Sequence, residues 1–284
     1  SAITIPGNIT TLTASPTNSV TLTSVGAGSI NMTGSEITTN TVYLNTTSGF
    51  VALSTLGVSA LNPLSSLVFS STSGSIAFDS PAYINTIIIN GTGSFNLSVG
   101  APLQTNSLTI GSQGSPLNNI SIQDTIIRLG TNASLSFYGN TVNITGSFGT
   151  QLAPFQSLTA QTSSGGISFS GNAPSYINTI AISGGTSAIA SFSAPLQTQT
   201  LNVGSTSSYL RTININNSIV GLNGGNPTIT FYGNTVNVTG SLGTQIAPVQ
   251  SFTAYTSSGG INLSGSSTSY ITTFTITGGT TGVA

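Results

Sequence analysis

TITFYGNTVNVTGSLGTQIAPVQSFTAYTSSGGINLSG, residues 228–265, carries its apolar side chains in pairs separated by a single residue. Ile229/Phe231, Val236/Val238 and Ile261/Leu263 are such pairs; Leu201/Val203, Ile213/Ile215 and Phe274/Ile276 extend the pattern on either side. A period of two with β-branched residues turns one face of a short strand inward and the other to water. Gly, Asn and Ser clusters separate the pairs, as turns do. No stretch shows the 3.6-residue period, and strong helix formers are nowhere gathered on one face. The chain is expected to be all-β.

The stretch is also a repeat. Residues 137–190 recur as 231–284 without a gap, identical at 36 of 54 positions. A more diverged copy comes earlier. NPLSSLVFSSTSGSIAF (62–78) matches APFQSLTAQTSSGGISF (153–169), and PAYINTI (81–87) matches PSYINTI (174–180). Self-similarity at a fixed period outranks local signals. It divides the 284 residues into units 1–97, 98–190 and 191–284, with no distinct linker between them. Two architectures suit a unit of ~94 residues. One is a parallel β-helix or solenoid with coils of roughly 20–25 residues, about four per unit. The other is a row of β-sandwich domains joined by strand donation, since about seven strands per unit is also an immunoglobulin-like number. Short strands, tolerance of small insertions and the missing linkers favour the solenoid.

Segments such as SLTAQTSSGGISFSGNAPSYINTIAISGG (157–185) resemble the repeats of filamentous-haemagglutinin-like bacterial surface proteins. The resemblance covers nearly the whole chain and implies a long right-handed parallel β-helix at a cell surface. More distantly, the charge-free Ser/Thr/Asn composition resembles archaeal and bacterial pilus-like surface subunits, some of which join by donating a strand.

Composition narrows the chemistry. The charged side chains are Glu36, Asp79, Asp124, Arg128 and Arg211, with no Lys, His or Cys. Ordinary domains are about 25% charged; this one is 2%. Two cations cannot neutralise a run of phosphates, so no nucleic-acid partner is expected. The groups that serve acid–base, nucleophilic and metal chemistry are nearly absent, so no enzyme, cofactor or metal is expected. A β-helix lyase would need a charged groove, and an ice-binding solenoid an even Thr-x-Thr array; neither is present. No 18-residue apolar run offers a membrane span. With a net charge of only −1, the chain is expected to associate or to be hydrated by glycans. The absence of Lys leaves a trypsin-like protease almost nothing to cut. An extracellular or cell-surface location, after removal of a signal peptide, is the expectation.

The candidate sites are few. N-x-S/T sequons stand at Asn8, Asn31, Asn45, Asn90, Asn96, Asn119, Asn132, Asn143, Asn216, Asn237 and Asn262. They are acceptors for N-glycans, though a chain this rich in Asn, Ser and Thr produces most of them by composition alone. Asp124 and Arg128, read as part of one strand, share a face about 13 Å apart. Tyr83, Tyr176 and Tyr270 recur at one repeat position, and Tyr138 and Tyr232 at another; a stacked ladder or a cap on the next coil is expected before a sugar site. Gly165/Gly166 and Gly259/Gly260 read as turns needing positive φ.

The repeat runs through the chain ends almost in phase. SAITIPGNITTLTA (1–14) aligns with 191–203 and with 98–110, pairing Pro6 with Pro102 and Pro195, and Leu12 with Leu108 and Leu201. The expected role is a structural subunit that polymerises head to tail. Its N-terminal strand (Ile3, Ile5, Ile9, Leu12) would complete the open end of a neighbour around Phe274, Ile276 and Val283. The alternative is a passive stalk or adhesin segment of a longer repetitive surface protein.

Overall fold

The computed structural model describes residues 3–4, 9–10, 19–24, 28–32, 36–53, 55–57, 59–78, 80–99 and 101–278. Each x-φ-x-φ segment becomes a strand that pairs with the strand one coil on. Every strand pairing among the described residues is parallel. A parallel neighbour needs a crossover rather than a hairpin, and here the crossover is the rest of the coil. The fold is a parallel β-solenoid; antiparallel sandwiches are not formed.

Contacts group the chain into two compact units, Ser1–Gly139 and Asn140–Ala284, so the units do not follow the repeat boundaries. A coil has three short faces, which the second unit shows most clearly. Leu196–Thr198 lies on the first face, Thr200–Val203 on the second, Leu210–Ile215 on the third, and Ile219–Gly221 is back on the first.

Register stacks like on like. On the second face of this unit the column Leu158, Ile180, Leu201, Ile229, Phe252, Phe274 runs in strict register. On the third face Phe169, Phe192, Ile215, Val238 and Leu263 do the same. Phe169 and Phe192 stack at 5.3 Å, and Phe252 and Phe274 at 5.1 Å. In the first unit the second face carries Leu22, Leu44, Phe69, Ile89, Ile110 and Phe137. Each sealed side chain of this size contributes about 1.5–3 kcal/mol by leaving water. The columns are nearly all aliphatic or aromatic, and the buried polar side chains among the described residues are Ser and Thr, none of them ionisable.

Coil length varies. Leu158, Ile180, Leu201, Ile229, Phe252 and Phe274 follow one another at 22, 21, 28, 23 and 22 residues. The 28-residue coil, and the 27-residue step from Ile110 to Phe137 in the first unit, exceed the 20–25 residues read from the sequence. Leu158 and Phe252 are equivalent repeat positions four rungs apart, so one repeat is four coils.

The variation sits at the corners. Between the first and second faces the tightest corner is one residue: Asn85, Asn106, Asn178 or Gln199. Asn106 Nδ2 donates to Asn85 Oδ1 at 2.9 Å. Beneath Gln199, the fully buried Thr198 hydroxyl is satisfied by the carbonyls of Asn178 and Thr200 at 3.1 and 3.0 Å.

In other coils a loop opened by a positive-φ glycine is inserted just ahead of this corner residue: Gly57, Gly149 or Gly243, at φ of 73°, 69° and 70°. A Cβ on these glycines would lie 2.3, 2.8 and 2.6 Å from the carbonyl oxygens of Tyr83, Tyr176 and Tyr270. Gly111 and Gly204, at the corner between the second and third faces, meet Tyr138 and Tyr232 in the same way, at 2.2 and 2.3 Å. The two tyrosine rows of the sequence thus share one backbone role. Each lays its peptide carbonyl against the corner glycine of the preceding coil.

Candidate functional surfaces

Sequence reasoning placed Asp124 and Arg128 on one strand. The strand is only Ile126–Arg128 and Asp124 lies in the corner before it, so they do not share a strand face. The Arg128 guanidinium donates to the carbonyl of Thr131 at 3.2 Å. Glu36 opens the strand Glu36–Thr38, which pairs with Thr55–Leu56; Asp79 lies outside the described residues. Among the described residues no three His, Cys, Asp or Glu gather where a metal ion would sit. No helix among them is long and apolar enough to cross a membrane.

The glycine pairs are half of a device that the sequence showed only in part. Gly166 and Gly260 have positive φ, at 95° and 73°. Gly165 and Gly259 do not; they are small because a Cβ would meet a threonine hydroxyl, Thr141 or Thr235, at 1.9 Å. Asn140 of the preceding coil holds this loop. Its Oδ1 accepts from Ser163 Oγ, Ser164 N, Ser164 Oγ and Gly165 N at 2.7, 2.9, 2.6 and 3.2 Å. In the next repeat Asn234 Oδ1 accepts from Ser257 Oγ. The partners are 23 to 25 residues apart, one coil, so no local motif announces them.

An aromatic ladder does form, but not from the rows of the repeat. Tyr209, Tyr232 and Tyr255 occupy successive coils of the second unit. Tyr232 stacks on Tyr255 at 4.6 Å and 6°, and Tyr209 meets Tyr232 edge-on at 5.8 Å. Burial pushes the Tyr232 hydroxyl above its ordinary pKa, and its neighbours Tyr255 and then Tyr209 add to the shift. Tyr255 stands where the previous repeat has Gln161, so the ladder belongs to one repeat alone. In the first unit a shallow groove of about 450 Å³ is lined by Asn45, Thr46, Ser70, Ser71, Asn90 and Thr92, among others. Its lining side chains are uncharged, and most of the surface that they expose in the groove is carbon.

The sequons divide by geometry. Asn90, Asn96, Asn132 and Asn262 are exposed, and so are Asn31 and Asn216. Asn45, Asn119, Asn143 and Asn237 are half-buried, and Asn8 lies outside the described residues. Asn45, Asn216 and Asn237 spend the amide nitrogen a glycan would need, on Thr23 at 3.4 Å, Ser193 at 3.0 Å and Asn214 at 2.9 Å.

Of the proposed interface residues, Ile3 and Ile9 have described backbone. They pair within this chain, Ile3 with Ile30 and Ile9 with Ile37. Ile5, Leu12 and Val283 lie outside the described residues. At the other end, strand Ile271–Gly278 is the last described rung, and its burial breaks the rule of the column. Phe274 is 42% exposed, whereas Leu158, Ile180, Leu201, Ile229 and Phe252 are all at 0%. Ile276 is half-buried where Ala254 and Phe231 are sealed. Beside this rung a recess of about 200 Å³ opens among Val238, Leu242, Leu263 and Ile271.

Compared with protein-family models, with curated proteins and with solved structures, the chain matches none.

Proposed function

We propose that this chain is a structural, non-catalytic building unit of an extracellular filament or sheath, in which further copies add coils rung on rung. The observation that carries the reading is the apolar rung at Phe274 and Ile276. It continues a column sealed everywhere behind it and presents a parallel edge that no strand among the described residues pairs on its far side, which another strand can extend. The repeat alignment supplies a partner of matching phase. Leu12 aligns with Leu201, which sits in register on Ile180; Phe274 is the repeat equivalent of Ile180. Leu12 of a second copy then takes the place on Phe274 that Leu201 takes on Ile180. Ile3 and Phe192, also aligned, both lie on the third face of their units, which supports the same phase. A contact between two different ends does not close on itself and so builds fibres. Neutral hydroxyl-rich faces suit an exposed life outside the cell, with the exposed sequons Asn90, Asn96, Asn132 and Asn262 as the favoured positions for glycans.

A second reading rests on the absence of linkers between repeats: the rung is continued within a longer surface protein, as a stalk or adhesin segment. Electron microscopy of native material with intact mass separates the two. Fibres built of 28.4 kDa chains, lost when residues 1–14 are deleted from a still-folded protein, support the first. Fibres that persist without residues 1–14 overturn it, and a single chain of several hundred kilodaltons favours the second.

A further inference from the structure

Five corner loops share one architecture, a positive-φ glycine followed by a short turn, yet their tips differ in one respect. At Gly111 and Gly204, between the second and third faces, the tips are Gly114 and Ser207. At Gly57, Gly149 and Gly243, between the first and second faces, the equivalent tips are Leu61, Leu152 and Ile246. These three side chains are 91%, 93% and 94% exposed. The turn itself has no need of them. It is closed by its backbone, with Thr150 and Ala153 exchanging N–H···O bonds at 3.1 and 3.0 Å and Thr244 and Ala247 at 3.0 and 3.2 Å. The Ser205–Ser208 turn closes equally well around polar residues, at 3.0 and 3.1 Å. Nor does the interior need them, because they touch water on nearly every side. In a chain this rich in Ser and Thr, an almost fully exposed aliphatic residue at a turn of each repeat calls for a partner outside the coil.

We infer that Leu152 and Ile246 are lateral contact points through which second units of two copies of this chain pack side by side. Three observations select a second copy as the occupant. First, the two tips lie on one edge of the unit and four rungs apart, about 19 Å at the ordinary strand spacing of ~4.8 Å. A partner that meets both must carry apolar points at that period, and this chain does. Second, a pair of points on one edge is self-complementary under a two-fold axis, the usual symmetry of homodimers. Third, Arg211 is the one charged side chain between residues 140 and 284, so two such edges meet without the repulsion that keeps ordinary proteins apart. Two tips per copy bury far less than the roughly 1,000 Å² of a stable interface. A single pairing is therefore weak, and rows of aligned copies strengthen it by multivalency. The contact does not depend on end-to-end assembly, because the tips are on the side of the coil and the open rung is at its end.

The test uses the full chain at rising concentration in analytical ultracentrifugation. The Leu152→Asn/Ile246→Asn double variant is expected to self-associate at least tenfold more weakly than the parent, with an unchanged circular dichroism spectrum and melting point. Phe274→Asn tests the end-to-end contact separately: it is expected to shorten fibres while leaving lateral pairing intact. The chain has no cysteine, so Leu152→Cys and Ile246→Cys each introduce a lone thiol. Intermolecular disulfides at these positions, in clear excess over a Ser207→Cys control, support the contact. Cross-linking no greater than at position 207, or unchanged association of the double variant, overturns it. So does binding to neutral phosphatidylcholine vesicles that is lost in the double variant while self-association is not, since the tips would then serve a lipid surface.

Discussion

Phe252 and Phe274 are the same residue in the same column, stacked on each other, yet one is sealed and the other open. Nothing in their own sequence separates them: SFTAYT and TFTITG are both alternating strands. The difference is the number of neighbours along the stack. A rung buries its apolar residues only when another lies on each side, so burial in this fold is contributed by the adjacent coil rather than by the strand itself. An interior rung is therefore sealed by its neighbours, and the outermost described rung leaves apolar surface in water.

The sharpest way to break this comparison is to truncate both kinds of rung. Ile229→Ala in the sealed column is expected to cost about 2–5 kcal/mol, read as a fall in the urea midpoint. Phe274→Ala in dilute protein is expected to cost less than half as much, because water already reaches part of the ring. Equal losses would mean that the end rung is covered in solution. Next in size is the corner glycine. Gly204→Ala places a Cβ at φ of 81° and against the Tyr232 carbonyl, and is expected to lose about 1–3 kcal/mol. Ser207→Ala, at the tip of the same corner, should lose almost nothing. A third, smaller effect separates coil-to-coil clamping from column packing. Asn140→Ala removes the acceptor for two hydroxyls and two backbone amides, and about 1 kcal/mol is expected to go with it. Asn140→Asp keeps an acceptor oxygen and is expected to recover most of that, measured by thermal melting above pH 6.

The smallest effect is confined to alkali. Tyr232 has a folded-state pKa above the ordinary 10.0. The folded protein thus prefers the neutral phenol, a contribution fully present below pH 10 and lost as pH climbs through the raised value. Tyr232→Phe, which cannot ionise, is expected to flatten the fall in stability above pH 10. An unchanged alkaline slope would show that the ring is as well hydrated in the stack as in the unfolded chain.

The column residues were legible from sequence because the period of two is a local property: Leu201/Val203 and Ile229/Phe231 announce both the strand and its inward face. The repeat was legible because it is a comparison of the chain with itself. The choice between solenoid and sandwich was less so, since a φ-x-φ pair looks the same with a parallel or an antiparallel neighbour. What stayed hidden depends on residues one coil apart. Asn140 gives no sign that its oxygen closes the 163–165 loop, and Tyr209 and Tyr255 give none that they flank Tyr232. The tyrosine rows misled for a related reason. Repetition marks a shared position, but the part of Tyr83 and Tyr176 placed against the corner glycine is the peptide carbonyl, which every residue has. The aliphatic tips were passed over because period-two reading discards an isolated Leu in a turn.

The corners let the second unit keep two lengths independent. Ile180 to Leu201 spends 21 residues and Leu201 to Ile229 spends 28, yet each step is one strand spacing. The stack is a ruler graduated in strands and blind to how much chain is stored between the marks. Segments can be lengthened, shortened or exchanged at 205–208 or 223–226 without shifting any other mark. A lineage, or an engineer, can therefore rewrite what the edge of this molecule displays while every graduation keeps its place.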